Sequence, residues 1–396
     1  MKMKRFLAGL LLLAMAVTSL GFRPVAAHED AVVARWTTKA DLAPADYEVQ
    51  MKLATGSVAE QEVPIQGEQS FYQDSDVVTV VVELEEAPLL AQAGDEEIQS
   101  FVASAQGQTL SRTLLDSHEA VKAQLRQLSG NVATQSVNGA ADLSYDYTTV
   151  LNGFSTKLYY GDLDAARALP GVKRVWIAEQ YALPIEQENT ISMTTSTGMV
   201  GSTEANTLGY DGTGTIVAIG DTGIDQDHEA FSVMPTDPKY SREDVAKLLG
   251  KSLASGITDV SQVYINEKIP YAYDYAGKDT DAEAVGQSHG VHVAGTVAGN
   301  NGSNFHGVAP NAQLMIMKLF SDGSGSTSDD IILAGMDDAV KLGADAINMS
   351  LGSPAGFAAY DDEEEGQGLT YASVYSRIAD AGVCLLYTSD AADEAR

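Results

Sequence analysis

The sequence has 396 residues, 44% hydrophobic and 20% charged, with 36 Gly and 11 Pro, so it can build a sizeable core and is not wholly disordered. Acidic residues outnumber basic ones by 55 to 24, for a formal charge of -31, which excludes a nucleic-acid or anionic-membrane binder as the working expectation. A single Cys excludes a disulfide framework, a cysteine zinc site and an iron–sulfur cluster.

Residues 1–27 open with M-K-M-K-R, continue through an apolar run from Phe6 to Leu20 and close on Val25-Ala26-Ala27. That order of basic, apolar and small residues predicts a cleaved secretory signal. The apolar run is short of the roughly 20 residues of a membrane span, so no stable span is expected there. Removing the four basic residues of this leader takes the formal charge from -31 to -35. Residues 28–76 are polar and without period, and read as a linker or lead-in.

From residue 77 the texture changes. Residues 77–84 form a β-branched run and predict a strand. Residues 95–128 predict one long helix, with Val121, Leu125 and Leu128 at i, i+4, i+7 and Gly130-Asn131 as its stop. Residues 145–160 predict a hairpin turning at Asn152-Gly153, followed by a short helix over 162–169 and a strand over 172–178. The order β-α-β-β-α-β indicates a small ferredoxin-like α+β domain across residues 77–183.

Beyond residue 200 the pattern becomes strand–loop–helix. Apolar strands are expected over 214–220, 312–319 and 344–350. An amphipathic helix is expected over 329–342, with Ile332, Met336 and Val340 at i, i+4, i+8. Near-continuous apolar strands alternating with helices predict an α/β parallel sheet covered on both faces, with its chemistry where strands run into loops.

Two such edges carry candidate chemistry. Asp221 closes the first apolar strand in D-T-G-I-D, and His289 opens a small-residue helix in H-G-V-H-V-A-G-T. Read alone, D-T-G also fits an aspartic protease, but that mechanism needs two carboxylates sharing a proton, and a second D-[ST]-G is absent. A structural Asp at a turn is the plain alternative. His289 and His292 as metal ligands lack a third ligand at a suitable spacing. His228 and His306 read as loop residues. Asp227 and Glu229 match no EF-hand calcium-loop spacing, so calcium at these two residues stays open but unassigned, and no other cofactor is expected. The acidic run over 361–365 reads as a solvated loop.

Together, D-T-G-I-D at Asp221, H-G-V-H-V-A-G-T at His289, Gly307-Val308-Ala309-Pro310 before a strand, and Asn348-Met349-Ser350-Leu351-Gly352-Ser353 resemble the subtilisin-like serine proteases (peptidase S8 family). The large cell-envelope branch, which includes lactocepin and the streptococcal complement-peptide peptidases, is the nearest pattern. The resemblance implies a secreted or cell-envelope bacterial endopeptidase acting on proteins or peptides, with residues 200–383 as the N-terminal part of its catalytic domain. It implies Asp221 as orienter, His289 as general base, and Ser350, Leu351 and Gly352 as backbone contacts to an extended substrate. Residues 77–183, with Leu151-Asn152-Gly153-Phe154-Ser155, resemble the family's inhibitor I9-like propeptide, an intramolecular inhibitor and chaperone. Val291 stands where the family usually has Thr. The long interval between Asp221 and His289, containing Tyr271-Ala272-Tyr273-Asp274-Tyr275, suits the cell-envelope branch.

The triad chemistry needs a His to deprotonate a weak serine nucleophile and a carboxylate to hold the His tautomer. The family's G-T-S-M-A segment with that serine, and its A-G-N oxyanion turn, do not follow His289 in this sequence. Residues 384–396, beginning at Cys384, resemble a translated sequencing-library adapter, so the expectation is a catalytically incomplete fragment with an artefactual tail. The rival expectation is an inhibitor or chaperone module joined to a pseudoprotease remnant.

Overall fold

The computed structural model describes residues 72–94, 96–129, 144–182, 193–250, 252–322, 325–351 and 371–387. The expected leader over 1–27, all but the end of the lead-in, the acidic run over 361–365 and Gly352 lie outside the described residues. The described residues from Gln73 onward belong to one compact unit.

The first layer is a four-stranded antiparallel sheet. Strand β1 (Val77–Leu84) leads into three helices, α1 (Leu89–Gln92), α2 (Ile98–Ala103) and α3 (Ala105–Leu128). There follow β2 (Asp146–Tyr147), β3 (Gly153–Tyr159), α4 (Leu163–Arg167), β4 (Val172–Ile177) and the three-residue β5 (Gln180–Ala182). The sheet order is β2-β3-β1-β4, with β1 at its centre. That position accounts for the unbroken apolar run. Val78, Val80 and Val82 pack with Val121 and Leu125 of α3, and Val81 on the opposite face joins the core beneath.

Two expectations need correction here. The helix read over 95–128 is broken at Ser104, which is extended (φ -68°, ψ 158°) and whose hydroxyl accepts from the Gly107 N–H to start α3. A Cβ on Gly107 would stand 2.1 Å from the Phe101 carbonyl oxygen, so the chain folds α2 back onto α3, and helical period alone cannot report that. The hairpin does not turn at Asn152-Gly153. Gly153 already lies in β3, opposite Glu83 of β1, and the connection is the loop over 148–152.

The second layer follows α5 (Met193–Met199) and α6 (Ser202–Thr207). Its elements are β6 (Ile216–Asp221), α7 (Arg242–Leu248), β7 (Tyr271–Asp274), α8 (His289–Ala298), β8 (Gln313–Lys318) and β9 (Ser326–Ser328). Then come α9 (Asp329–Lys341), β10 (Ala346–Met349), α10 (Tyr371–Asp380) and β11 (Cys384–Tyr387). Five strands form a parallel sheet in the order β11-β10-β6-β8-β7, the α/β architecture expected. Central β6 is buried on both faces. Val217 and Ile219 pack on Ala294 and Ala298 of α8, while Ile216 and Ala218 meet Ile332 and Met336 of α9. The tyrosine-rich stretch supplies the edge strand β7, which no sequence period announced. At the other edge β11 pairs with β10, so the sheet runs across the boundary expected after Val383.

Helix α9 departs from simple amphipathicity. Its polar residues Asp329, Asp330, Asp337, Asp338 and Lys341 are all buried. The Asp337 carboxylate accepts from the N–H groups of Thr149 (2.7 Å) and Val150 (2.9 Å) and from the Thr149 hydroxyl (3.1 Å). Asp338 accepts from Ala254 N–H (2.6 Å), Ser255 N–H (3.0 Å) and the Tyr275 hydroxyl (2.8 Å). Lys341 donates to the Thr148 hydroxyl (2.7 Å) and the Ser252 carbonyl (2.8 Å). The polar face of α9 is thus satisfied from two sides, Asp337 and Lys341 by the first-layer loop over 148–152 and Asp338 by residues 254, 255 and 275 of the second layer.

Candidate active site

Asp221 is the last residue of β6 and His289 the first of α8. Sixty-eight residues separate them in the chain, yet the His289 Nδ1 lies 2.8 Å from Asp221 Oδ1 and 3.0 Å from Oδ2. The Asp221 side chain is 2% exposed and the His289 side chain 27%. An ionised carboxylate at that distance draws the proton to Nδ1, which makes Nε2 the basic nitrogen of the neutral ring. A buried acceptor behind a half-open imidazole is the arrangement that proton abstraction requires.

The local sequence explains the meeting. Asp221 Oδ1 also accepts from the Thr222 N–H at 2.7 Å, and its backbone carbonyl accepts from Leu319 N–H at 2.7 Å. The Thr222 hydroxyl accepts from the Gly290 N–H at 2.9 Å, tying the first turn of α8 to the strand end. Sequence reasoning passed over Thr222, although its place inside D-T-G was the available signal. Gly223 takes φ +102°, a left-handed conformation that favours glycine. Across from it, a Cβ on Gly290 would lie 2.4 Å from the Gly223 carbonyl oxygen. We expect Gly290→Ala to lower stability by about 1–3 kcal/mol by overpacking. Denaturant unfolding measures that, with an unchanged midpoint counting against this close approach.

Lys318 was likewise unread. It is opposite both Asp221 and Asp274 in register, and its buried ammonium bridges Asp274 (3.0 Å) and Asp322 (2.7 Å). It therefore fixes the strand ends beside the pair.

The other expected site residues are placed unevenly. Ser350 and Leu351 follow β10, whose Asn348 lies opposite Ile219 of β6, so they leave the sheet at the same carboxyl end as Asp221. The Ser350 hydroxyl accepts from the Asn348 side-chain amide at 2.9 Å. Gly352 lies outside the described residues. His292, His228 and His306 are exposed, and His228 accepts from the Ala230 N–H within its own loop. Among the described residues no group of three His, Cys, Asp or Glu side chains is placed to hold a metal.

A parallel sheet with a carboxylate closing its central strand and an imidazole opening the helix beside it defines a subtilisin-like α/β protein. Residues 212–386 match the model of the subtilase family, so this segment is a peptidase S8 domain. It is 31% identical over 306 residues to the PI-type proteinase of Lactococcus lactis subsp. cremoris, covering 74% of this chain and 15% of that protein. It is 38% identical over 157 residues to the C5a peptidase of Streptococcus pyogenes serotype M1, covering 36% of this chain and 12% of that protein. Among solved structures, fervidolysin from Fervidobacterium pennivorans overlaps 78% of this chain and 39% of its own, at 17% identity and a TM-score of 0.42. The chain thus spans only about 15% of the length of its lactococcal relative.

Proposed function

We propose that this chain carries the acid–base half of a secreted serine endopeptidase that hydrolyses protein or peptide substrates. The observation that carries the reading is the 2.8 Å contact between His289 Nδ1 and the buried Asp221 carboxylate. In this reading His289 Nε2 removes the proton of a serine hydroxyl as it attacks the scissile carbonyl, then returns it to the leaving amine. Asp221 holds the tautomer and stabilises the imidazolium. The sequence after His289 does not supply the serine segment or the oxyanion amide, so turnover belongs to a polypeptide that contains them. Ser350, Leu351 and Gly352 would hydrogen-bond an extended substrate as an added strand. Export rests on the leader-like residues 1–27.

In the same reading, residues 77–183 act as an intramolecular inhibitor and folding aid. Two features support this role. The loop over 148–152 docks on α9 through Asp337, and β5 pairs antiparallel with β9 as an added strand would. The test is casein hydrolysis by the product of the complete gene, with and without a covalent serine-directed inhibitor. Inhibitor-sensitive cleavage is expected, and full cleavage in its presence would overturn the serine assignment.

A further inference from the structure

The three-residue pairing of β5 with β9 places Tyr181 opposite Thr327 and Ala182 opposite Ser326. Tyr181 packs its ring against the core, and its hydroxyl donates to Asp329 Oδ1 at 2.8 Å. Asp329 Oδ2 accepts from the Glu179 N–H at 2.9 Å, and the Asp329 N–H returns a bond to the Glu179 carbonyl at 3.2 Å. Asp329 is 2% exposed and follows directly on the edge strand. One buried carboxylate thus meets both the backbone and a side-chain tip of the added strand.

We propose that Asp329 is a specificity-determining residue for whatever extended segment occupies the β9 edge. At the position opposite Thr327 it accepts an apolar stem with a donor or cationic tip, meaning Tyr, Lys or Arg, and rejects an acidic one. The inference rests on the proposed role of residues 77–183 as an inhibitor, in which β5 occupies the β9 edge as a substrate strand would. The chemistry is direct. A carboxylate at the end of an apolar slot is satisfied by a phenol O–H, an ammonium or a guanidinium, each of which can lay its stem along apolar surface. A carboxylate tip places like charges together in a partly desolvated site. Burial, and then the Asp329 charge, push the Tyr181 phenol pKa up, so its O–H remains a donor throughout the ordinary pH range.

Backbone hydrogen exchange on the full chain tests this, with residues 179–182 as the readout and the amides of β8 as the internal reference for an intact fold. In the unsubstituted chain the β5 amides are expected to be protected. Tyr181→Phe, which loses the hydroxyl's bond to Asp329 and its 3.4 Å contact with the Glu179 carboxylate, should speed their exchange about three- to tenfold. Tyr181→Lys should stay within about threefold of the parent, and Tyr181→Glu should exchange at least about tenfold faster. In an Asp329→Asn background the Lys-to-Glu gap should shrink to under about threefold. Unprotected β5 amides in the parent would sink the edge-strand reading itself. Protected amides with equal rates for Tyr181→Lys and Tyr181→Glu would sink the selectivity alone. A gap that survives Asp329→Asn would assign it to the neighbouring Glu179 carboxylate or to overall charge, and not to Asp329. Should Tyr181→Glu lose β8 protection, Tyr181→Gln takes its place, and a rate equal to that of Tyr181→Lys overturns the proposal.

Discussion

Asp221→Asn, in a complete gene product that hydrolyses casein, should lower kcat/KM about 10⁴-fold while leaving the fold intact. The amide keeps the size of the carboxylate, so packing at the end of β6 survives. What changes is the proton. An Asn can present its NH₂ to His289 Nδ1, which favours the tautomer with hydrogen on Nε2, and that nitrogen then cannot accept a proton from a nucleophile. The loss also removes the charge that stabilises the imidazolium behind a 2%-exposed surface. His289→Ala should cost at least as much, since the base itself disappears. Because members of a triad act as a unit, the double variant should be no slower than His289→Ala alone. Steady-state peptide hydrolysis, with circular dichroism to confirm folding, checks both. A variant at Asp221 that keeps more than about a tenth of the parent rate would remove this carboxylate from the mechanism.

Asp337→Ala is expected to destabilise the chain by about 3–5 kcal/mol. Asp337 is fully buried, and the two N–H groups it receives from Thr149 and Val150 have no water to replace it. The substitution also strips Lys341 of a carboxylate 3.5 Å away, leaving its buried ammonium hydrogen-bonded to a hydroxyl and a carbonyl, with the charge of Asp338 as the remaining carboxylate nearby. Asp337→Asn should cost less, because its amide oxygen can still accept from one of the two N–H groups. Urea denaturation of the full chain measures the pair. The expected signature is a lower midpoint with protection lost first over residues 148–152. Equal midpoints for Asp337→Ala and the parent would mean that the first layer does not depend on this junction.

Part of the fold and the two candidate residues are legible in the sequence. Asp221 and His289 stand where an apolar element meets a glycine; the strands over 313–318 and 346–349 fall inside the stretches that their apolar runs mark, and the strand over 216–221 runs one residue past its own, to include Asp221. These features are local. A parallel strand buried on both faces must be apolar along its length, and a residue at its carboxyl end must leave the sheet, so sequence reports both directly. The α/β class follows from the same alternation.

Other features depended on distant partners. Nothing near Ser104 distinguishes a broken helix from a continuous one until Phe101 and Gly107 are seen to touch. The strand β9 is three hydroxyl residues, and only its pairing with residues 180–182 makes it a strand. Asp337, Asp338 and Lys341 look like a solvated face by helical period, yet all are buried: Asp337 and Lys341 meet a layer encoded nearly two hundred residues earlier, and Asp338 meets Ala254, Ser255 and Tyr275. The residue pattern by itself determined three of the five parallel strands, the helices α8 and α9 beside them and the two groups that could share a proton. Tertiary structure decided how those groups meet across 68 residues, and which polar side chains are buried and which are wet. The reason is physical: period and composition report a residue's own element, whereas a hydrogen bond or a burial is set by whatever the rest of the chain brings against it.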